Sequence, residues 1–256
     1  MARARGAKTR SSAGYGAKRR DLICGVTRPH TPIPGKIPQH IHQIFFYETS
    51  SHLPDKLVKA KNSWIQYHPN YTYTLWNKTS IKSLLEREYP FLRKLYDSYG
   101  NWVRRADVAR YLVLYHYGGW YVDMDVACRR SVRTLEQEAQ ELNKTAILRL
   151  TEPVGFSNDF IGISERHPFL FSVLTSLHMS NRWFIFPYAN TMFSTGPTFL
   201  WGRVRTLEQE AQELNKTAIL RELFIVAGNR ILVFEEVKTN KDIVEHQLPL
   251  TAQTLI

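Results

Sequence analysis

Two aspartates one residue apart, Asp123 and Asp125, carry the plainest chemistry in this chain. Hard divalent ions such as Mg²⁺ and Mn²⁺ take carboxylate oxygens and keep positions for phosphate and water. An Asp-x-Asp pair at a strand end can therefore hold an ion against a diphosphate and neutralise the charge that grows as a phosphate leaves. Exposed pairs of this kind usually only solvate a loop. Here the pair follows an apolar helix, a Gly118-Gly119 stop and the strand WYVDMDV, which favours a site.

Other polar residues each admit two readings. In RRADVARY, Arg104, Asp107, Arg110 and Tyr111 are three or four apart. They form either an intrahelical ladder, worth about 0.3–0.5 kcal/mol per exposed pair, or a set in which Arg105 and Asp107 meet phosphate and sugar hydroxyls. His42 and Gln43 interrupt an apolar strand and need partners there. They are either satisfied core residues or the edge of a nucleotide site. His167, before Pro168, reads as a cap or a packing residue. Asn158-Asp159 read equally as a turn or as a sugar-binding pair.

These residues need a scaffold, and the order of elements supplies one. IPQHIHQIFF (Ile37 to Phe46) reads as a buried first strand. Pro54 opens an amphipathic helix with Leu57, Lys61, Trp64 and Ile65 on one face. YTYTLW (Tyr71 to Trp76) reads as a second strand. Thr79 or Ser80 caps a helix containing Ile81, Leu84, Leu85 and Glu88. Trp102 to Tyr117 is a further helix, closed by Gly118-Gly119. Strands alternating with helices predict an α/β fold with a mainly parallel sheet flanked by helices. Ligands of such sheets sit beyond the strands' carboxyl ends, where the aspartates fall.

The net charge is +11, but it is unevenly spread. Up to Lys36 nine basic residues face only Asp21, leaving +3 for the remainder. Basicity thus describes a disordered arm over residues 1–36, and no nucleic-acid partner is expected. The body, residues 37–256, has material for one core. No apolar run reaches about 18 residues, so no membrane span is expected, nor does the start read as a signal peptide. Cys24 and Cys128 form no metal-binding spacing. Four sequons, at Asn70, Asn77, Asn143 and Asn215, permit a luminal location.

The segment VRTLEQEAQELNKTAILR occurs twice without a mismatch, from Val132 to Arg149 and from Val204 to Arg221. Each copy reads as a helix with a Leu/Ala stripe, capped by Thr134 or Thr206 with Gln137 or Gln209 three residues on. The second copy makes residues 204–256 an atypical tail.

In combination, IPQHIHQIFF, SWIQYHPNYTYTLW, RRADVARYLVLYHYGGWYVDMDV, VGFSNDFIGISERHPF and WFIFPYANTMFSTGP resemble the Asp-x-Asp glycosyltransferases of the initiation-specific mannosyltransferase type. Within that group the blocks SNDF, HPF, FPY and STGP are most similar to catalytic subunits of fungal mannosyl-inositol-phosphorylceramide synthases. The resemblance implies a GT-A fold and a retaining transfer of mannose from GDP-mannose to inositol phosphorylceramide, with Mn²⁺ or Mg²⁺. It implies Asp123 and Asp125 at the metal, and His42, Gln43, Arg105, Asp107, Tyr121, Asn158 and Asp159 around the donor. Thr195 and Gly196 would belong to the loop closing the site. It also implies a Golgi or endomembrane setting, an anionic lipid acceptor and a regulatory membrane subunit. Arg129 and Arg130, just past the aspartates, could attract such an acceptor or equally be surface residues. Such proteins usually carry membrane spans and a Ser-Ser-Trp-His-like last block. Neither is matched here, His246 being a poor counterpart. Alternative expectations are a nucleotide-sugar-binding pseudoenzyme or a transferase using UDP-galactose or UDP-glucose.

Overall fold

The computed structural model describes residues 35–46, 53–150, 155–181, 185–213, 223–226 and 234–236. The expected arm, except for its last two residues, and most of the expected atypical tail lie outside these. So do His246, the poor counterpart of the last block, and the end of the second repeat copy.

Among the described residues, six strands form one sheet in the order β2-β1-β3-β6-β5-β7. They are β1 (His40–Ile44), β2 (Thr72–Trp76), β3 (Gly119–Val122), β5 (Ala146–Leu150), β6 (Phe156–Ile163) and β7 (Leu223–Val226). β1 runs parallel to β2 and β3, and β5 to β7, whereas β6 is antiparallel to both its neighbours. The sheet is thus mainly parallel, as expected, with β6 reversed. β4 (Val126–Cys128) pairs separately with β8 (Phe234–Glu236).

Helices cover both faces: α1 (Asp55–Tyr67), α2 (Lys78–Glu88), α3 (Pro90–Ser98), α4 (Trp102–Tyr117), α5 (Arg133–Glu141), α6 (Pro168–Ser180), α7 (Pro187–Ser194) and α8 (Pro197–Glu213). One core gathers Trp76, Leu85, Leu112, Tyr121, Ile161 and Leu170 under α2–α4, α6 and α8. The other gathers Ile41, Trp64, Trp120, Val126, Leu135 and Phe160 under α1 and α5. Alternation along β3 explains the division, since Trp120 and Tyr121 point to opposite faces. Trp64 also donates to Val126 O at 2.7 Å, tying α1 to β4.

The α4–β3 junction sets the site. Gly118 has φ +61° and donates to Leu114 O at 2.9 Å, closing the helix as expected. Gly119 has φ +93°, and a Cβ there would lie 2.4 Å from His40 O. Only glycine permits both the conformation and the close approach.

Several local expectations need correction. The cap of α2 is Asn77; its side chain accepts from Ser80 N, and Ser80 Oγ accepts from Asn77 N, so Ser80 is the reciprocal member and not the cap. α1 buries Ala60 and Trp64, while Ile65 is exposed. α3 was not anticipated; Pro90 at its first position is compatible with a helix start. α5 starts after Val132 with no side-chain cap, so Thr134 does not cap it. Thr206 lies inside α8 and bonds back to Gly202 O at 2.8 Å. Asn158-Asp159 are strand residues in β6, not a turn.

Candidate active site

The Asp-Met-Asp segment is the turn between β3 and β4. Met124 is buried beneath it, Asp123 is half-buried and Asp125 is exposed. Backbone bonds fix the turn from both sides: Asp123 N donates to Asp159 O at 2.9 Å, and Val126 N donates to Asp123 O at 3.2 Å. Gln43 Nε2 adds a third bond to Asp123 O at 3.1 Å, while Gln43 Oε1 accepts from Tyr73 OH at 2.7 Å. The polar residue that interrupts β1 therefore holds the turn.

The side chain of Asp123 is oriented as firmly. Tyr121 OH donates to its Oδ1 at 2.6 Å, and an Arg110 guanidinium nitrogen lies 3.3 Å from the same oxygen. Burial raises the Asp123 pKa to about 6, against the opposing pull of Arg110 and Tyr121, and the neighbouring Asp159 and Asp125 raise it further. Oδ1 is thereby engaged by protein groups, and the exposed Asp125 stands beside it.

Behind the turn, Arg110 joins two carboxylates. It lies 3.1 Å from Asp107 Oδ1 and spreads over the Tyr121 ring at 4.7 Å. Burial alone would lower its pKa, but Asp123, Tyr121 and Asp107 outweigh that and raise it. Asp107 also accepts from Asn158 Nδ2 at 2.9 Å and from Thr195 Oγ1 at 2.9 Å. Tyr111 OH donates to Thr195 O at 2.8 Å. Each buried charge thus has partners, as its desolvation demands. The Asp107–Arg110 pair is a buried junction, not the exposed ladder of low value.

The remaining expected residues are spread around the fold. Asp159 meets Arg149 at 2.7 Å through Oδ2, while its buried Oδ1 has no hydrogen-bond partner. His42 is buried one layer away: Trp76 Nε1 donates to its Nδ1 at 3.2 Å, so Nε2 carries the proton and donates to Gly118 O at 2.9 Å. Burial, then the nearby His40, push its pKa down to about 3. Arg105 faces away from the aspartates, bonding Tyr99 O at 2.8 Å and Asp97 O at 3.1 Å. Gly196 follows Thr195 and donates to Thr191 O at 2.8 Å, completing the end of α7. His167 caps α6 by accepting from Phe169 N at 3.1 Å. Arg129 and Arg130 are exposed just beyond β4.

Arg110 and Arg149 were not singled out as site residues. Arg110 had a readable signal: a cation between the buried Ala109 and Tyr111 requires a buried partner. Arg149 had none, because its partner is set by the pairing of β5 with β6.

Among the described residues no three His, Cys, Asp or Glu side chains converge as a metal cluster. Asp123 and Asp125 offer a carboxylate pair, half-buried and exposed respectively. That fits an ion whose remaining ligands are phosphate and water, and not a closed structural site. A cavity of about 630 Å³ lies at the opposite, amino-terminal end of the strands, lined by Lys36, Gln39, Arg133, Glu136 and Lys144.

Residues 54–142 match the family model described as a glycosyltransferase sugar-binding region containing a DXD motif. Over 174 residues the chain is 40% identical to inositol phosphoceramide mannosyltransferase 3 of Schizosaccharomyces pombe, covering 67% of this chain and 46% of that protein. It is 41% identical over 168 residues to mannosyl phosphorylinositol ceramide synthase CSH1 of Saccharomyces cerevisiae, covering 65% and 42%. The chain therefore spans less than half the length of these relatives. The UDP-bound glycosyltransferase domain of the YGT toxin superposes with a TM-score of 0.53 at 12% identity, covering 74% of this chain and 79% of that one, a likeness of fold.

Proposed function

The chain belongs, through residues 54–142, to the glycosyltransferases with a DXD-containing sugar-binding region, and on that premise we propose that it transfers mannose from GDP-mannose to the inositol phosphate head of a ceramide lipid, with retention. The observation that carries this reading is the Asp123–Asp125 turn, fixed through Gln43, Tyr121 and Asp159 at the carboxyl edge of β3. The lipid acceptor is taken from relatives whose names specify inositol phosphoceramide.

Asp123 and Asp125 would hold Mn²⁺ or Mg²⁺. Such an ion supplies Lewis-acid neutralisation of the departing diphosphate. The protein's own part is preorganisation: Tyr121 and Arg110 keep the Asp123 carboxylate in one orientation, so little reordering is needed when donor arrives. Arg110, locked between Asp107 and Asp123, offsets the cost of burying both. The acceptor hydroxyl attacks C1 of the sugar on the face that the diphosphate vacates. The C1–O bond to phosphate breaks, and the hydroxyl proton passes to a departing phosphate oxygen.

The test is transfer to inositol phosphorylceramide in detergent, with GDP-mannose, UDP-galactose and UDP-glucose in parallel arms. GDP-mannose with Mn²⁺ is expected to support turnover that Asp123→Asn and Asp125→Asn each reduce at least a hundredfold. Turnover indifferent to both substitutions would refute the reading. Ion affinity should also rise with pH through about 6, because the Asp123 proton must leave first. Titration with Mn²⁺ at pH 5 and pH 7 measures it.

A further inference from the structure

The face formed by the end of α6 and by α7 is apolar where solvent would favour polar residues. At the end of α6, Met179 is 75% exposed, and at α7 and the approach to it Ile185, Phe186 and Tyr188 are 75%, 72% and 76% exposed. Phe193, on the last turn of α7, is half exposed. Scattered exposed apolar side chains need no explanation, but large ones grouped on one short helix and its neighbour do. At the amino end of α4, Trp102 and Val103 are exposed too. Arg104, the next residue, bonds Asn181 beyond α6, so the two groups adjoin.

The charge on this face is one-sided. The sequence has no aspartate or glutamate between Glu165 and Glu208, and none from Ser98 to Ala106. Asp107 is buried and already paired. Arg104 stacks over Tyr99 at 4.3 Å, and Arg105 and Lys78 flank Trp102 at 4.5 and 4.1 Å. The nearby Asp97 carboxylate is paired with Arg93. Apolar and aromatic side chains flanked by cations are the composition that seats protein in the headgroup layer of an anionic bilayer.

The face is also mechanically continuous with the active site. α7 ends at Thr195, whose hydroxyl bonds Asp107, and Asp107 holds the Arg110 that reaches Asp123. An eight-residue helix is about 12 Å long, and the carboxyl end of α7, at Thr195, is the end tied to Asp107.

The geometry points to a membrane-docking face formed by the end of α6, the approach to α7 and α7 itself, which seats on an anionic lipid surface and presents the aspartates to acceptor head groups in that surface. This rests on the lipid-acceptor reading above. It goes beyond that reading by assigning the surface through which the lipid is met.

The full chain is tested for flotation with vesicles of phosphatidylcholine and with vesicles containing phosphatidylinositol. Both are run at 0.1 M and 0.5 M salt, the higher salt screening the basic amino-terminal segment. The triple substitution Ile185→Ser, Phe186→Ser, Tyr188→Ser should weaken binding to phosphatidylinositol vesicles at least tenfold at both salts. Mn²⁺-dependent GDP release from GDP-mannose without acceptor should stay within twofold of wild type. The unchanged GDP release also verifies folding and separates failure of docking from failure of the transferase reading. Equal vesicle binding by the variant and wild type overturns the proposal. So does a concentration-dependent dimer, seen in lipid-free sedimentation and abolished by the triple substitution, since that would make a second copy the occupant.

Discussion

The two copies of VRTLEQEAQELNKTAILR have one sequence and two structures. The first makes a nine-residue helix, α5, and then turns through Asn143, at φ +53°, into strand β5. The described part of the second, Val204 to Glu213, continues a helix begun at Pro197. Upstream context makes the difference. The first copy follows β4, so its helix must start afresh. The second follows PTFLWGR, which is already helical, and Thr206 becomes an interior residue.

What both copies share is the apolar stripe. Val132 and Leu135 are buried, as are Val204 and Leu207, but in different cores. The first copy also braces the sheet at both ends: Glu136 accepts from Trp120 Nε1 at 2.8 Å and from Tyr71 OH at 2.8 Å at the amino-terminal end, and Arg149 pairs with Asp159 beside the aspartate turn. A short sequence thus fixes which face is buried, while its neighbours decide helix extent and which core receives that face.

Substitutions at matched positions sharpen this contrast. Leu135→Ala should cost about 3–4 kcal/mol, since Leu135 is 1% exposed within a filled core. Leu207→Ala, at 6% exposed on the inner face of α8, should cost about 2 kcal/mol. Denaturant unfolding of both variants measures the difference, and equal losses would break the distinction. Glu136→Ala should cost about 2 kcal/mol by stranding the Tyr71 and Trp120 donors. Asn143→Ala should cost about 1 kcal/mol, because alanine resists the left-handed region. Thr134→Ala and Thr206→Ala should both stay within about 0.5 kcal/mol, as neither is a cap. A larger loss for Thr134→Ala would restore the capped helix read from the sequence.

The same logic explains what the sequence revealed elsewhere. Helix α4, its Gly118-Gly119 stop and the aspartates beyond β3 were readable because each rests on local chemistry: periodicity, a positive-φ glycine and carboxylates at a strand end. The reversal of β6 was not readable, since strand direction depends on pairing partners distant in sequence. Nor was the division of labour among polar residues. Gln43 was picked out as a polar group needing partners, and Asp107 and Asn158 as candidates to contact the donor, but only the fold places Gln43 on the turn and Asn158 on Asp107. Arg105 and Arg110 lie five residues apart in one helix. Rotation about that helix sends Arg110 to Asp123 and Arg105 to the end of α3.

Calorimetric titration of GDP, with and without Mn²⁺, tests the central claim most directly when wild type is set beside Asp123→Asn and Asp125→Asn. Wild type should bind GDP at least tenfold more tightly with Mn²⁺, and each substitution should abolish that gain. GDP binding that ignores the ion, or an ion-dependent gain that survives both substitutions, would contradict the account.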